Sequence, residues 1–149
     1  MLYYYGAKTG VVDYNGSPLP EAYFAEIEEE RNGEYKLIVK YPLSDTDNHL
    51  SLLENDLISA PTPQHGKQFF RIKNKVEYLD EVVLTCYHIT EDIFIRKVKP
   101  LNVITKSCQV ALDLLIAGSQ TTLTPFTFES DITDVHTFTT DKDDTLYNL

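Results

Sequence analysis

The sequence predicts a β-rich α+β fold in which antiparallel hairpins form a barrel-like or sandwich domain with one packed helix. Two stretches, 23–43 and 68–93, alternate apolar and polar residues at period two on either side of a short polar break. A third, 106–117, repeats apolar residues at helical spacing. The composition agrees, with 10 Tyr, 7 Phe and no Trp supplying strand-forming aromatics.

In chain order, residues 1–5 read as a short strand ended by Gly6 and Gly10, and Asn15-Gly16, Pro18 and Pro20 mark an exposed turn. Residues 21–31 are ambiguous, because their Ala and Glu content favours helix. The Asn32-Gly33 turn decides for a strand, since it leads into 34–43, where Tyr35, Leu37, Val39 and Tyr41 share one face. A two-residue turn would set Glu28 against Leu37 and Glu26 against Val39. A three-residue loop, Arg31-Asn32-Gly33 with Gly33 left-handed, instead pairs Ile27 with Leu37, Ala25 with Val39 and Tyr23 with Tyr41. This bulged hairpin turns Glu26, Glu28 and Glu30 to water.

Residues 44–48 form a polar loop. Leu50, Leu53 and Leu57 stand at roughly helical spacing, closed by Pro61 and Pro63, and 62–67 is a connection. In the hairpin 68–93, Phe70, Ile72, Val76 and Tyr78 fall on one side of the first strand, and Phe69, Arg71, Lys73, Lys75 and Glu77 on the other. After Leu79-Asp80-Glu81 the return run 82–89 is apolar in both phases, as in a strand covered on both faces. The helix 106–117 has Thr105 or Ser107 as N-cap, Gly118 as its stop, and Cys108, Ala111, Leu112 and Leu115 on its core face. Residues 126–130 and 135–140 read as strands, and Asp143-Asp144-Thr145 as the opening of another helix. A helix start so close to Leu149 fits the N-terminal piece of a longer protein; a frayed natural C-terminus is the other reading. The main β-module is expected over about 1–100, with the helix and following strands over 101–149.

A chain of 149 residues is long enough to bury its own core. A net charge of −10 disfavours adhesion to nucleic-acid phosphates. Cys86 and Cys108 occupy apolar positions, as reduced core residues do. Residues 1–5 lack a basic signal-peptide start, and no apolar run has the length of a membrane span, so a soluble protein made in the cytoplasm is the default.

His49, His65, His88 and His136 are scattered over separate elements. Cys86 and His88 share a strand face, but a metal would need further ligands from elsewhere, and a buried, hydrogen-bonded His88 is the ordinary alternative. The carboxylates of 26–30 and of Asp141, Asp143 and Asp144 lack the spacing of a calcium loop and read as solvated faces. No nucleophile elbow, zinc-protease helix or phosphate-cradling glycine loop occurs, which weighs against an enzyme. Arg71, Lys73 and Lys75, extended by Arg96, Lys97 and Lys99, form the one local basic region. It reads as a wet face that discourages edge pairing, or as a docking patch for an acidic partner or a neighbouring copy.

Three stretches in order, NGEYKLIVKYPL (32–43), KQFFRIKNKVEYLDEVVLTCYHITEDI (67–93) and VALDLL (110–115) followed by Phe126-Thr127-Phe128, resemble the N-terminal region of a family of phage minor structural proteins. These are the tail-associated lysins, or prophage tail endopeptidases, of siphophages and prophages of Gram-positive bacteria. The resemblance runs from about residue 22 onward and rests on Gly33, Tyr35, Phe70, Ile72, His88 and Asp92. Thr90-Glu91 departs from the small residue and aromatic that the family often carries there.

The resemblance implies a structural hub module of the virion tail tip, synthesised in the bacterial cytoplasm. Three copies of the full-length protein would form a ring beneath the tail tube, in contact with the distal tail, tube and tape-measure proteins, and close or line the DNA channel. Glu26, Glu28 and Glu30 would then face the lumen and repel passing DNA, while Arg71, Lys73 and Lys75 would contact a neighbouring subunit. It implies no cofactor, no membrane and no catalysis in this chain, since peptidoglycan cleavage belongs to the family's variable C-terminal extensions. The alternatives are a stand-alone β-rich binding module for adhesion or carbohydrate recognition, and a hydrolytic fragment, which would need convergent His and carboxylate groups.

Overall fold

The computed structural model describes residues 1–6, 15–31, 33–43, 48–94, 97–119, 127–140 and 144–145. The chain forms two compact units, Met1–Ile89 and Thr90–Leu149. The β-rich α+β class holds.

In the first unit, strands β1 (Tyr3–Tyr5), β2 (Ser17–Pro18), β3 (Phe24–Glu29), β4 (Tyr35–Pro42), β5 (Leu57–Thr62), β6 (Gly66–Glu77) and β7 (Glu81–His88) form one sheet. Its order is β2-β1-β5-β6-β7-β4-β3, with every neighbour antiparallel. The arrangement is sandwich-like and not a closed barrel. Leu2 and Leu19, beside one edge, share a core with Leu37 and Val39, near the other, and with Ile58, Phe70, Ile72 and Leu84 between them. The two edges are successive parts of one chain segment. Pro18 pairs with Tyr3, the Leu19 N–H donates to Leu2 O (3.0 Å), and after a turn the Tyr23 N–H donates to Lys40 O (3.2 Å). A strand that crosses between sheet ends in this way makes a corner.

The register expected for the first hairpin is present, with Ile27 opposite Leu37 and Ala25 opposite Val39. Gly33 is not left-handed, however; among the described residues those with positive φ are Asn55, Thr105 and Gly66. What restricts Gly33 is space. A Cβ there would lie 2.8 Å from Glu30 Cβ. The expected exposed turn at 15–20 contains β2, where Pro18 sits on a sheet edge that can spare its N–H. Gly16 is buried behind it, and a Cβ would fall 2.5 Å from the Tyr5 ring and 2.6 Å from Tyr4 O.

The hairpin expected at 68–93 is formed by β6 and β7, but Val76 and Tyr78 do not join Phe70 and Ile72 in the core. Lys73 is an extra residue between the pairs Ile72↔Cys86 and Asn74↔Thr85, and this bulge exchanges the two faces of the strand. Lys75 thereby pairs with the buried Leu84, its side chain only 14% exposed, and Val76 turns outward. The return strand β7 is fully buried on one face and half-buried on the other, between β6 and β4 in the sheet.

The helical spacing of Leu50, Leu53 and Leu57 is not realised as a helix. A short 3₁₀ turn, Asn48–Ser51, precedes β5; Leu52 is the buried anchor, and Leu50 and Leu53 are exposed. Pro61 and Thr62 belong to β5, and 62–67 is a tight hairpin turn, with Gly66 at φ 66° and the Thr62 hydroxyl accepting from the His65 N–H (3.1 Å).

The second unit contains α1 (Glu91–Phe94), β8 (Lys97–Val98), β9 (Asn102–Ser107), α2 (Cys108–Gly118), β10 (Val135–Thr139) and β11 (Asp144–Thr145). β9 pairs with β10 and β8 with β11. Val98, Leu101 and Val103 form its core, covered by Ala111, Leu114 and Leu115 of α2. Leu114 thus packs there where Leu112 was expected, and no α2 residue is fully buried. Ser107 is the N-cap, without a side-chain cap bond; Thr105 lies in β9 with φ 48°. Gly118 is the last helical residue. Residues 127–130 are not a strand, and Asp144–Thr145 are a strand and not a helix start. Phe126, Asp141 and Asp143 lie outside the described residues.

Candidate functional site

β4, β6 and β7 are neighbours, so residues far apart in sequence meet on their shared inner face. Phe70 pairs directly with His88. The His88 ring stacks on Tyr35 (centroids 4.7 Å, planes 24° apart) and meets the edge of Phe70 at 5.4 Å. Its Nε2 lies 2.9 Å from Gln68 Oε1. Burial is the main influence that pushes the imidazole below its ordinary pKa, opposed by the charge of Glu29 and reinforced by His65. Burial also pushes the Cys86 thiol up to about 12, far from the thiolate that metals and electrophiles require. Among the described residues no group of three His, Cys, Asp or Glu could hold a metal ion. Tyr35, Phe70, Ile72 and His88 therefore form a packed aromatic and aliphatic centre, with Gly33 in the adjoining loop; Asp92 lies in α1 of the second unit.

The charged residues fall into two sets. Glu26 and Glu28 stand on the outer face of β3, because their cross-strand partners are Ile38 and Lys36, whereas Ala25 and Ile27 face the core residues Val39 and Leu37. Glu26 and Glu30 are exposed, and Glu28 pairs with Lys36 Nζ at 2.8 Å. The basic residues do not make one patch. Arg71 donates from Nη1 to Asn55 O (2.7 Å), Lys73 occupies the exposed bulge, and Lys75 turns to the opposite face to reach His49 O and Glu77 Oε1, each at 3.0 Å. Arg96 lies outside the described residues, and Lys97 and Lys99 are exposed on the second unit.

A cleft of about 400 Å³ opens where the two ends of the first unit's sheet approach each other. On one side stand Ala25 and Ile27 of the edge strand β3, with Leu37 behind them; on the other are Met1, Leu2, Ala60 and Pro61. Leu19, Pro20 and Ala22 of the corner segment complete it. Every one of these side chains is apolar, and the cleft's polar surface comes from backbone groups. The His65 ring bridges toward β3 with Nε2 3.7 Å from Glu29 Oε1. The corner and the two sheet ends could not be anticipated from local periodicity, because the cleft is lined by residues as far apart in sequence as Ala25 and Ala60.

No protein-family model, no curated protein and no solved structure matches this chain. No helix among the described residues is long and apolar enough to cross a membrane.

Proposed function

We propose that this chain is a structural module of a phage or prophage tail tip, the N-terminal part of a baseplate hub protein. In this reading the module docks on the distal tail protein beneath the tail tube, forms a homotrimer in the full-length protein, and lines or closes the DNA channel. The observation that carries the reading is where the resembling stretches lie. Residues 32–43 and 67–93 supply β4, β6 and β7, three adjacent strands around the Tyr35, Phe70 and His88 cluster. Two of the three resembling stretches thus supply adjacent strands of one sheet, and the third, 110–115, lies in α2 of the second unit.

The exposed Glu26 and Glu30 suit a wall past which DNA slides without binding. The module's work is assembly; peptidoglycan hydrolysis would reside in other domains. Light scattering of the protein, alone and mixed with a siphophage distal tail protein, tests this. A trimer that co-elutes with the distal tail protein is expected. A strict monomer that fails to bind it overturns the reading.

One observation favours the alternative of a stand-alone binding module. Tyr78 and Leu79, at the β6–β7 tip, are 56% and 98% exposed. A glycan array that responds to the isolated chain, with the response lost in Tyr78→Ala, would select this alternative.

A further inference from the structure

We propose that the cleft and the free edge of β3 take up an extended segment of a partner protein, one that alternates aliphatic and basic residues, as an added strand. Among the described residues β3 ends the sheet, with β4 on one side and no strand on the other. The Glu30 N–H donates to Glu34 O (2.9 Å) across to the β4 side. The alternation of an antiparallel ladder then turns the backbone groups of Ala25, Ile27 and Glu29 toward the free edge.

Ala25 and Ile27 are also the residues whose side chains face inward, toward Val39 and Leu37, and line the cleft. Edge hydrogen-bonding groups and an aliphatic trough therefore border the same line. A strand laid along it would satisfy the backbone and drop every second side chain into the cleft.

Charge selects the other side chains. Those pointing outward would sit beside Glu26 and Glu28, with Glu29 and Glu30 at the end of the strand, where basic residues are favoured and acidic ones are opposed. A second copy of this chain is disfavoured as the occupant, because β3 paired antiparallel with itself would set glutamates against glutamates. An acyl chain would fill the trough and leave the edge N–H and C=O groups unpaired. The proposal stands on the cleft and the edge, and holds whether or not the chain belongs to a tail tip.

The test uses the full chain and two synthetic nine-residue peptides, one alternating valine with lysine and one alternating valine with glutamate. Binding is read by fluorescence anisotropy, and the site by residue-resolved amide hydrogen exchange. The lysine peptide is expected to bind, more weakly as salt rises, and to protect the amides of Ala25, Ile27 and Glu29; the glutamate peptide is not. Glu26→Lys with Glu30→Lys should weaken binding on the order of tenfold. Ala25→Phe, which fills the trough from an exposed position, should abolish binding without lowering the urea midpoint.

Four results would each overturn the proposal. Equal binding of both peptides removes the role of charge. Binding that survives Ala25→Phe places the peptide elsewhere. Strong protection of those three amides in the free monomer means that this chain already covers its own edge. A dimer that buries them means that a second copy does.

Discussion

His88 shows how a residue of reactive type becomes structural through its surroundings. It packs against the rings of both Tyr35 and Phe70, with Gln68 as a hydrogen-bond partner. Since burial lowers its folded pKa, the unfolded chain, whose histidine titrates near 6.5, binds more protons at pH values just below that. Stability contributed by the neutral ring is therefore complete above about pH 6.5 and is lost as pH falls through the folded value. Urea unfolding should show a midpoint that drops on acidification below about pH 6.5. His88→Phe, which keeps a ring against Tyr35 and Phe70, should flatten that slope; an unchanged slope would assign the titration to another group. The burial of His88 was legible from the alternation of β7. Its partner Gln68 was not, because a contact across strands depends on register, which alternation within one strand does not fix.

At the scale of elements, the first hairpin was readable because only one loop length puts Ala25 and Ile27 opposite apolar partners, and the structure has that register. The second hairpin was readable in position but not in phase, since the Lys73 bulge exchanges its faces and no residue type announces it. β5 was hidden for two reasons. Its neighbours imitate helical spacing at Leu50, Leu53 and Leu57, and Pro61 argues against a strand. Yet β1 pairs with β5 only as far as Ser59, so Pro61 lies where one edge has no neighbouring strand among the described residues. β7 is an interior strand, between β6 and β4, and its energetics should be polarised along the hairpin. Leu84→Ala, at a site with 0% exposure, should cost about 2–5 kcal/mol of unfolding free energy. Leu79→Ala, at the tip, should stay within about 0.5 kcal/mol. Comparable losses from the two, measured by chemical denaturation, would contradict the sheet's topology.

At the scale of the whole molecule, the division between units falls after Ile89, where the sequence placed the end of the β-module near residue 100. Periodicity finds elements and not which of them share a core. The distribution of buried residues separates the units energetically. All seven strands of the large sheet, and a core that includes Leu37, Val39, Ile58, Phe70, Ile72 and Leu84, lie within residues 1–89. Among the described residues of 90–149, the buried apolar set is Val98, Leu101 and Val103. Each fully buried aliphatic or aromatic side chain contributes about 1.5–3 kcal/mol, so three of them offset little of the backbone entropy of such a segment. A chain of residues 1–89 should therefore fold alone, with slow hydrogen exchange in β4, β6 and β7 matching that of the full chain. Residues 90–149 alone should exchange their amides rapidly. Slow exchange in that isolated segment, or an unfolded 1–89, would show that the sheet core does not hold the stability that its burial implies.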